Sequence, residues 1–197
     1  MQRKNLEPKE EWMTCPKIEI EFPGLAYLCD LNKLIVAKRS DALHDLFGDI
    51  HGGYTIYNGE GQKVFLAVEK KVQKKIEIKI YNFYGNEVIN LEKPREYCIN
   101  RFLICAPPGH FIGSVRKIKC LRKFYIKNGR EEIILTMKPR GIFCIYDIFR
   151  EDEKIGNVIK KKGARHAENN DINIVFPMEM SVEHKSILLG ACFLTRY

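Results

Sequence analysis

Lys160-Lys161-Lys162 and, three residues on, Arg165 put four cations inside the segment GNVIKKKGAR (156–165), a density that a plain turn does not need. The chemistry open to such a cluster is attraction for anions. Each lysine contributes on the order of 1 kcal/mol at an anionic lipid surface. An importin-type receptor for basic segments could read the same residues, and a solvated turn after a strand is the plainest alternative. The whole chain leans the same way, with 33 Lys and Arg against 25 Asp and Glu and a net charge of +8. A positive field favours anionic phospholipids or nucleic acid. The basic residues lack the interleaved aromatics of single-strand binders, which puts nucleic acid behind lipid.

Bond-making chemistry has less to work with. His44, His51, His110, His166 and His184 have no nucleophile or metal-spaced companion in the sequence. Gly52-Gly53 and Gly59-x-Gly61 precede no helix that carries a phosphate-binding lysine, so they read as turns. Cys15, Cys29, Cys98, Cys105, Cys120, Cys144 and Cys192 are scattered without a Cys-x-x-Cys pair, the usage of reduced, intracellular thiols rather than a disulfide framework or a zinc site. MQRKNLEPKEEWMTCP is charged throughout and offers no apolar core for a secretory signal. These features together predict binding or translocation without an enzymatic active site.

The elements that position these residues are mostly strands. YTIYNGEGQKVFLAVEK, IEIKIYNFYGNEVINLEKP and FYIKNGREEIILTMKP each set an alternating strand on either side of a Gly/Asn turn. FCIYDIFREDEKIGNVIKK repeats the pattern with its turn near Glu151-Asp152. Repeated hairpins suggest a closed sheet, because closure removes the exposed edges that many short strands would present. Residues 1–16 read as a flexible charged tail and residues 17–197 as one domain, long enough to bury a core with 45% hydrophobic residues.

Two stretches read as helical: Ser40 to Phe47, and Ser181 to about Leu194. The second contains SILLGACFL (186–194), apolar on every side. Its nine residues cover about 13 Å as a helix, whereas a bilayer core of about 30 Å needs about 20 residues. A short helix apolar all round must be covered all round, and a curled sheet with inward Ile, Val, Phe and Tyr supplies that cover. The expectation is a helix threaded through a β-barrel, with Gly190 and Ala191 allowing close approach to the wall. A shallow interfacial anchor is the rival, but no basic face follows Lys185.

FPGLAYLCDLNKLIV (22–36), the YTIYNGEGQKVFLAVE hairpin, YGNEVINLEKP, APPGHFIGSV (106–115) and the terminal NIVFPMEMSVEHKSILLGACFL resemble the phospholipid scramblases, over roughly residues 18–195 and most closely the short fifth branch of that family. The resemblance implies a tubby-like fold: a mainly β chain, with about twelve antiparallel strands closed around a central hydrophobic C-terminal helix. It implies calcium-dependent, ATP-independent movement of phospholipids between leaflets of the plasma membrane. It also implies membrane-surface adaptor roles and a nuclear pool.

Three site expectations follow from the likeness. The family's calcium loop falls on Glu168 to Glu179, with Glu168, Asn170 and Glu179 as oxygen donors. Asn173 stands where a loop of this type takes Gly, and sparse donors imply weak calcium affinity. Against that reading, Ile172, Ile174 and Phe176 alternate like a buried strand. The second expectation places the family's nuclear-import segment on Lys160, Lys161, Lys162 and Arg165. The third concerns the family's cysteine cluster, which keeps only Cys98 and Cys105 here. Cys105 is expected in the core, and a single acyl chain on Cys98 would hold a membrane marginally. The proline-rich arm of longer relatives is not in this sequence.

Overall fold

The computed structural model describes residues 11–18, 21–38, 52–72, 75–94, 100–118, 120–141, 144–161 and 171–197. A short 3-10 helix, Pro23–Leu28, leads into twelve strands: β1 (Lys33–Lys38), β2 (Gly52–Asn58), β3 (Lys63–Val72), β4 (Lys75–Tyr81), β5 (Glu87–Lys93), β6 (Asn100–Cys105), β7 (Phe111–Ile118), β8 (Lys123–Asn128), β9 (Ile133–Pro139), β10 (Ile145–Arg150), β11 (Glu153–Lys160) and β12 (Ile172–Val175). Neighbours in sequence are neighbours in the sheet, all antiparallel, and β12 returns to pair with β1, so the sheet closes into a barrel. One α-helix, α1 (Val182–Leu194), follows β12.

Alternation decides which side chains face inward. In β4, Ile76, Ile78 and Ile80 are buried while Lys75, Glu77 and Lys79 lie between them on the other face. In β6 the buried positions are Asn100, Phe102 and Ile104. Cys105 therefore turns to the outer face, a correction to its expected place in the core: it follows Ile104 by one residue, and a strand has a period of two. The barrel is built the opposite way round from one that spans a bilayer, whose strands turn apolar residues outward. Here the apolar residues fill the interior and the outer wall carries ion pairs such as Lys79–Glu87 and Lys75–Glu92, each at 3.0 Å.

Three of the hairpins close with the same device. The side-chain oxygens of Asn58, Asn82 and Asn128 each accept from the backbone N–H two and four residues on, at 2.9–3.0 Å. Such Asx contacts favour turns because they satisfy backbone donors that the strands leave over.

The filling of the barrel is α1. Ser181 caps it, accepting from the His184 N–H at 3.3 Å. Residues Lys185 through Leu194 are all buried, and Ile187, Leu188, Leu189, Phe193 and Leu194 are fully so. Gly190 marks the closest approach: a Cβ there would lie 2.9 Å from Ile104 Cγ1 and 3.4 Å from Leu91 Cδ2. The expected helix inside a barrel is the structure observed. Among the described residues no helix is long and apolar enough to cross a membrane.

Glu11 to Met13, within the stretch read as a tail, run alongside β3. Trp12 forms a parallel bridge with Lys63, and the backbone pairs Met13 N–Lys63 O and Lys63 N–Glu11 O are both 2.8 Å. The apolar ring of Trp12, 5.2 Å from Phe83, gives this charged segment its hold. The helical reading at Ser40 to Phe47 lies outside the described residues.

Candidate functional site

A meander of antiparallel strands sends successive turns to opposite ends of the barrel. The two ends differ in charge. At the end where α1 begins, the turns carry the exposed carboxylates Glu60, Glu132, Glu151, Asp152, Glu153 and Glu179. At the end where α1 finishes, the strand termini and turns carry the exposed cations Lys38, Lys71, Arg122 and Lys161.

At the acidic end lies a residue that the sequence reading treated only as the last charge before an apolar run. Lys185 is wholly buried. Its ammonium donates to the carbonyls of Leu28 at 2.8 Å, Cys29 at 2.9 Å and Met178 at 2.7 Å. All three donors are used, and they tie the C-terminal end of the 3-10 helix and the turn after β12 to the first turn of α1. The Phe176 ring lies 5.5 Å from the same nitrogen. Burial pushes the Lys185 pKa down, against the upward pull of Cys29, Asp30 and Glu179. Next to it, burial and then Arg150 push His184 below its ordinary 6.5, against Glu183.

This geometry bears on the calcium donors. Glu168 and Asn170 lie outside the described residues. Asp171, bonded to Asn170, leads straight into β12, which is paired with β1 on one side and β11 on the other. Ile172, Ile174 and Phe176 are buried. A segment hydrogen-bonded on both sides in a barrel wall cannot curl around an ion, and Glu179 is exposed past the far end of it. Residues 171–176 therefore do not wrap an ion as a calcium loop does, whose ligands must converge to about 2.3–2.6 Å from one ion. The charge of Glu179 acts through space on Lys185, after those of Cys29 and Asp30. Among the described residues no cluster of three or more His, Cys, Asp or Glu is placed to hold a metal.

Also at this end, a cleft of about 450 Å³ opens between the 3-10 helix and the β4–β5 turn, lined among others by Cys15, Glu21, Phe22, Tyr27, Tyr84 and Pro107. Phe83 and Tyr84 beside it are 54% and 73% exposed.

At the basic end, Lys160 closes β11 and its ammonium donates to the Thr195 carbonyl at 2.9 Å, holding the end of α1, where helix carbonyls lack partners. Lys161 is exposed just beyond, its N–H bonded to Asp171 O at 2.8 Å. Lys162, Arg165 and Cys98 lie outside the described residues. Around the same mouth, Arg196 stacks 4.6 Å from the Tyr54 ring, whose hydroxyl donates to Glu69 at 2.7 Å. The β7–β8 turn presents Leu121, 63% exposed, between the exposed Cys120 and Arg122. Lower on the wall, Arg140 and then Lys154 hold the Asp147 carboxyl below its ordinary 3.8, against partial burial.

The Scramblase family model matches residues 13–197, the whole barrel and its helix. The chain belongs to the scramblase family. It is 28% identical to bovine phospholipid scramblase 2, with 93% of this chain and 73% of that protein covered. To human phospholipid scramblase 2 it is 29% identical, over 94% and 73%. To human phospholipid scramblase family member 5 it is 27% identical, over 87% and 75%. A solved Arabidopsis thaliana protein shares the tubby-like fold, with TM-score 0.57 and 12% identity over 86% of this chain and 95% of that one.

The motifs that carried the resemblance fall at structurally demanding points of this scramblase-family chain. APPG (106–109) makes the β6–β7 turn beside the cleft. ILLGACFL is the enclosed half of α1. FPGLAYL forms the 3-10 helix, where a Cβ on Gly24 would sit 2.8 Å from Val88 Cγ1. Sequence reasoning missed Lys185 and missed the gathering of cations at one end. The second was visible in principle, since alternate connections in a meander share an end.

Proposed function

We propose that this chain handles phospholipids at a membrane surface, moving them between leaflets without ATP and under calcium stimulation from the cytoplasmic face of the plasma membrane. The family match and relatives named phospholipid scramblase support the lipid part of this reading. Calcium and the plasma membrane enter as what the family likeness implies. The observation that carries the mechanism is the filled barrel: with Lys185 through Leu194 buried inside it, lipid has no path through the interior. Movement must run along the outside, where the protein gathers headgroups and disturbs the leaflet it touches. No bond-making step belongs to the proposal.

The test is a vesicle assay with a fluorescent lipid and an impermeant quencher, with and without millimolar calcium. Faster exchange of the inner-leaflet lipid is expected when protein and calcium are both present. Unchanged exchange rejects lipid movement and leaves the fold untouched. Because β12 runs through the barrel wall before Glu179, any calcium effect is expected to survive Glu179→Ala; its loss would support the wrap-around set.

The filled interior also favours a second reading, a binding module that docks on anionic lipid or a partner protein and moves nothing. It predicts vesicle association that weakens as salt shortens the screening length from about 10 Å at 0.1 M to about 3 Å at 1 M, with no lipid exchange at any calcium level.

A further inference from the structure

The cations of the chain are not spread evenly over the barrel. Lys38 ends β1, Lys71 lies near the end of β3, Arg122 stands in the β7–β8 turn, and Lys161 follows β11. In the closed order of strands these positions fall on well-separated parts of one mouth. Four exposed cations spaced around a rim make a roughly flat positive face, suited to a surface rather than to a small anion, which needs its donors converged. At the opposite mouth the exposed carboxylates Glu60, Glu132, Glu151, Asp152, Glu153 and Glu179 outnumber the exposed cations Arg130, Arg150 and Lys154. The molecule is therefore a charge dipole along its barrel axis, and near an anionic plane it is turned so that the mouth where α1 finishes faces that plane.

The same rim holds an apolar tip. Leu121 is 63% exposed at the head of its turn, with Arg122 held at φ 51 beside it. A leucine raised beside Arg122 meets the acyl region of a bilayer while the cations of the rim meet headgroups. A single-strand nucleic-acid site would instead offer exposed aromatics for stacking; at this mouth Tyr54 is buried beneath Arg196 and Tyr125 is half-buried under Lys123.

We propose that the end of the barrel where α1 finishes docks on an anionic phospholipid bilayer, with Lys38, Lys71, Arg122 and Lys161 at the headgroups and Leu121 in the acyl boundary. The rival orientation uses the exposed aromatics Phe83 and Tyr84 at the other end, where the exposed Glu21 and Glu60 oppose an anionic surface. Docking rests on the membrane-surface reading above but not on lipid movement. Unchanged binding in the rim variant would sink the docking face alone. Intact binding without scrambling would sink lipid movement alone.

The experiment measures co-sedimentation of the full chain with phosphatidylcholine vesicles, with and without phosphatidylserine. One variant carries Lys71→Gln, Arg122→Gln and Lys161→Gln. A control carries Arg130→Gln, Arg150→Gln and Lys154→Gln, the same change in net charge at the acidic end. Melting curves check that both fold. Binding is expected only with phosphatidylserine, and the rim variant is expected to lose about fivefold per cation, about a hundredfold in all. The control is expected to stay within a few fold of the unmodified chain, and Leu121→Ser to lose about tenfold. Equal losses in rim variant and control would overturn the proposal. So would loss of binding in a Phe83→Ser, Tyr84→Ser variant with the rim variant unaffected. So would a rim variant that loses affinity for duplex DNA while its vesicle binding is unchanged.

Discussion

Replacing Lys185 with Met keeps nearly the same length and volume and removes only the ammonium. Three carbonyls, that of Leu28 buried and those of Cys29 and Met178 partly so, then lose their shared donor. Each carbonyl left unsatisfied costs about 1–3 kcal/mol. Against this stands the desolvation of the ammonium, several kcal/mol in the native protein, which the variant no longer bears. Removal of one side of a buried charged contact usually leaves a net loss of about 3–5 kcal/mol. With neutral carbonyls as the partners, the low end applies, about 3 kcal/mol. For a domain of this size each kcal/mol moves Tm by about 2–4 °C, so Lys185→Met is expected to melt about 6–12 °C lower. Thermal and urea unfolding followed by circular dichroism at neutral pH measure it. A Met variant as stable as the unmodified chain, or more so, would refute the view that this lysine holds the 3-10 helix and the β12 turn onto α1.

Gly190→Ala distinguishes an enclosed helix from an exposed one by the sign of its effect. Facing solvent or lipid it would gain about 1 kcal/mol of helix propensity, but against Ile104 it is expected to lose about 1 kcal/mol net, since overpacking costs about 1–3 kcal/mol; urea midpoints decide. Asp147→Asn is expected to lower stability slightly at neutral pH. Its folded pKa lies below 3.8, so that contribution is present above 3.8 and disappears as pH falls through the folded value, where the two proteins' melting curves should converge. His184 has the opposite kind of shift for a base. Its folded pKa lies below 6.5, the unfolded chain holds the proton more tightly, and stability rises with pH through the window below 6.5. His184→Gln is expected to flatten that rise in a series of melts from pH 4 upward, as the linkage relation requires.

Much of the barrel was legible because its signals are local. An Asn at the end of a strand followed by Gly fixes a turn through its own side chain, and β4 writes its two faces as alternating Ile and charge. The enclosed helix was legible for a different reason. Nine residues with no polar face and too little length for a bilayer leave few covers other than the chain itself. What was lost depends on contacts far apart in sequence. The partners of Lys185 are 156 and 157 residues away on one side, so nothing near it reveals that a lysine at the head of an apolar run points inward. The basic mouth was half visible: KKVQKK, RKIKCLRK and IKKKGAR occupy alternate connections of a meander, while NGEGQK, NGREE and REDEK occupy those between. Reading the compact cluster at Lys160 alone hid that pattern, and Lys160 itself turned out to hold the end of α1. The alternation of Ile172, Ile174 and Phe176 was legible as a buried strand, whereas Glu168 and Asn170 of the calcium set lie outside the described residues.

The account stands on α1 remaining inside its barrel while the protein sits on lipid. Amide hydrogen exchange of the full chain, free and bound to phosphatidylserine-containing vesicles, tests this directly at Ile187 through Phe193. These amides are expected among the slowest to exchange in both states, with protection gained on binding only around the β7–β8 turn and the neighbouring basic rim. Fast exchange of the helix in the free protein, or its transfer from barrel contacts to lipid contacts on binding, detected by cross-linking from Cys192 to acyl chains, would contradict it.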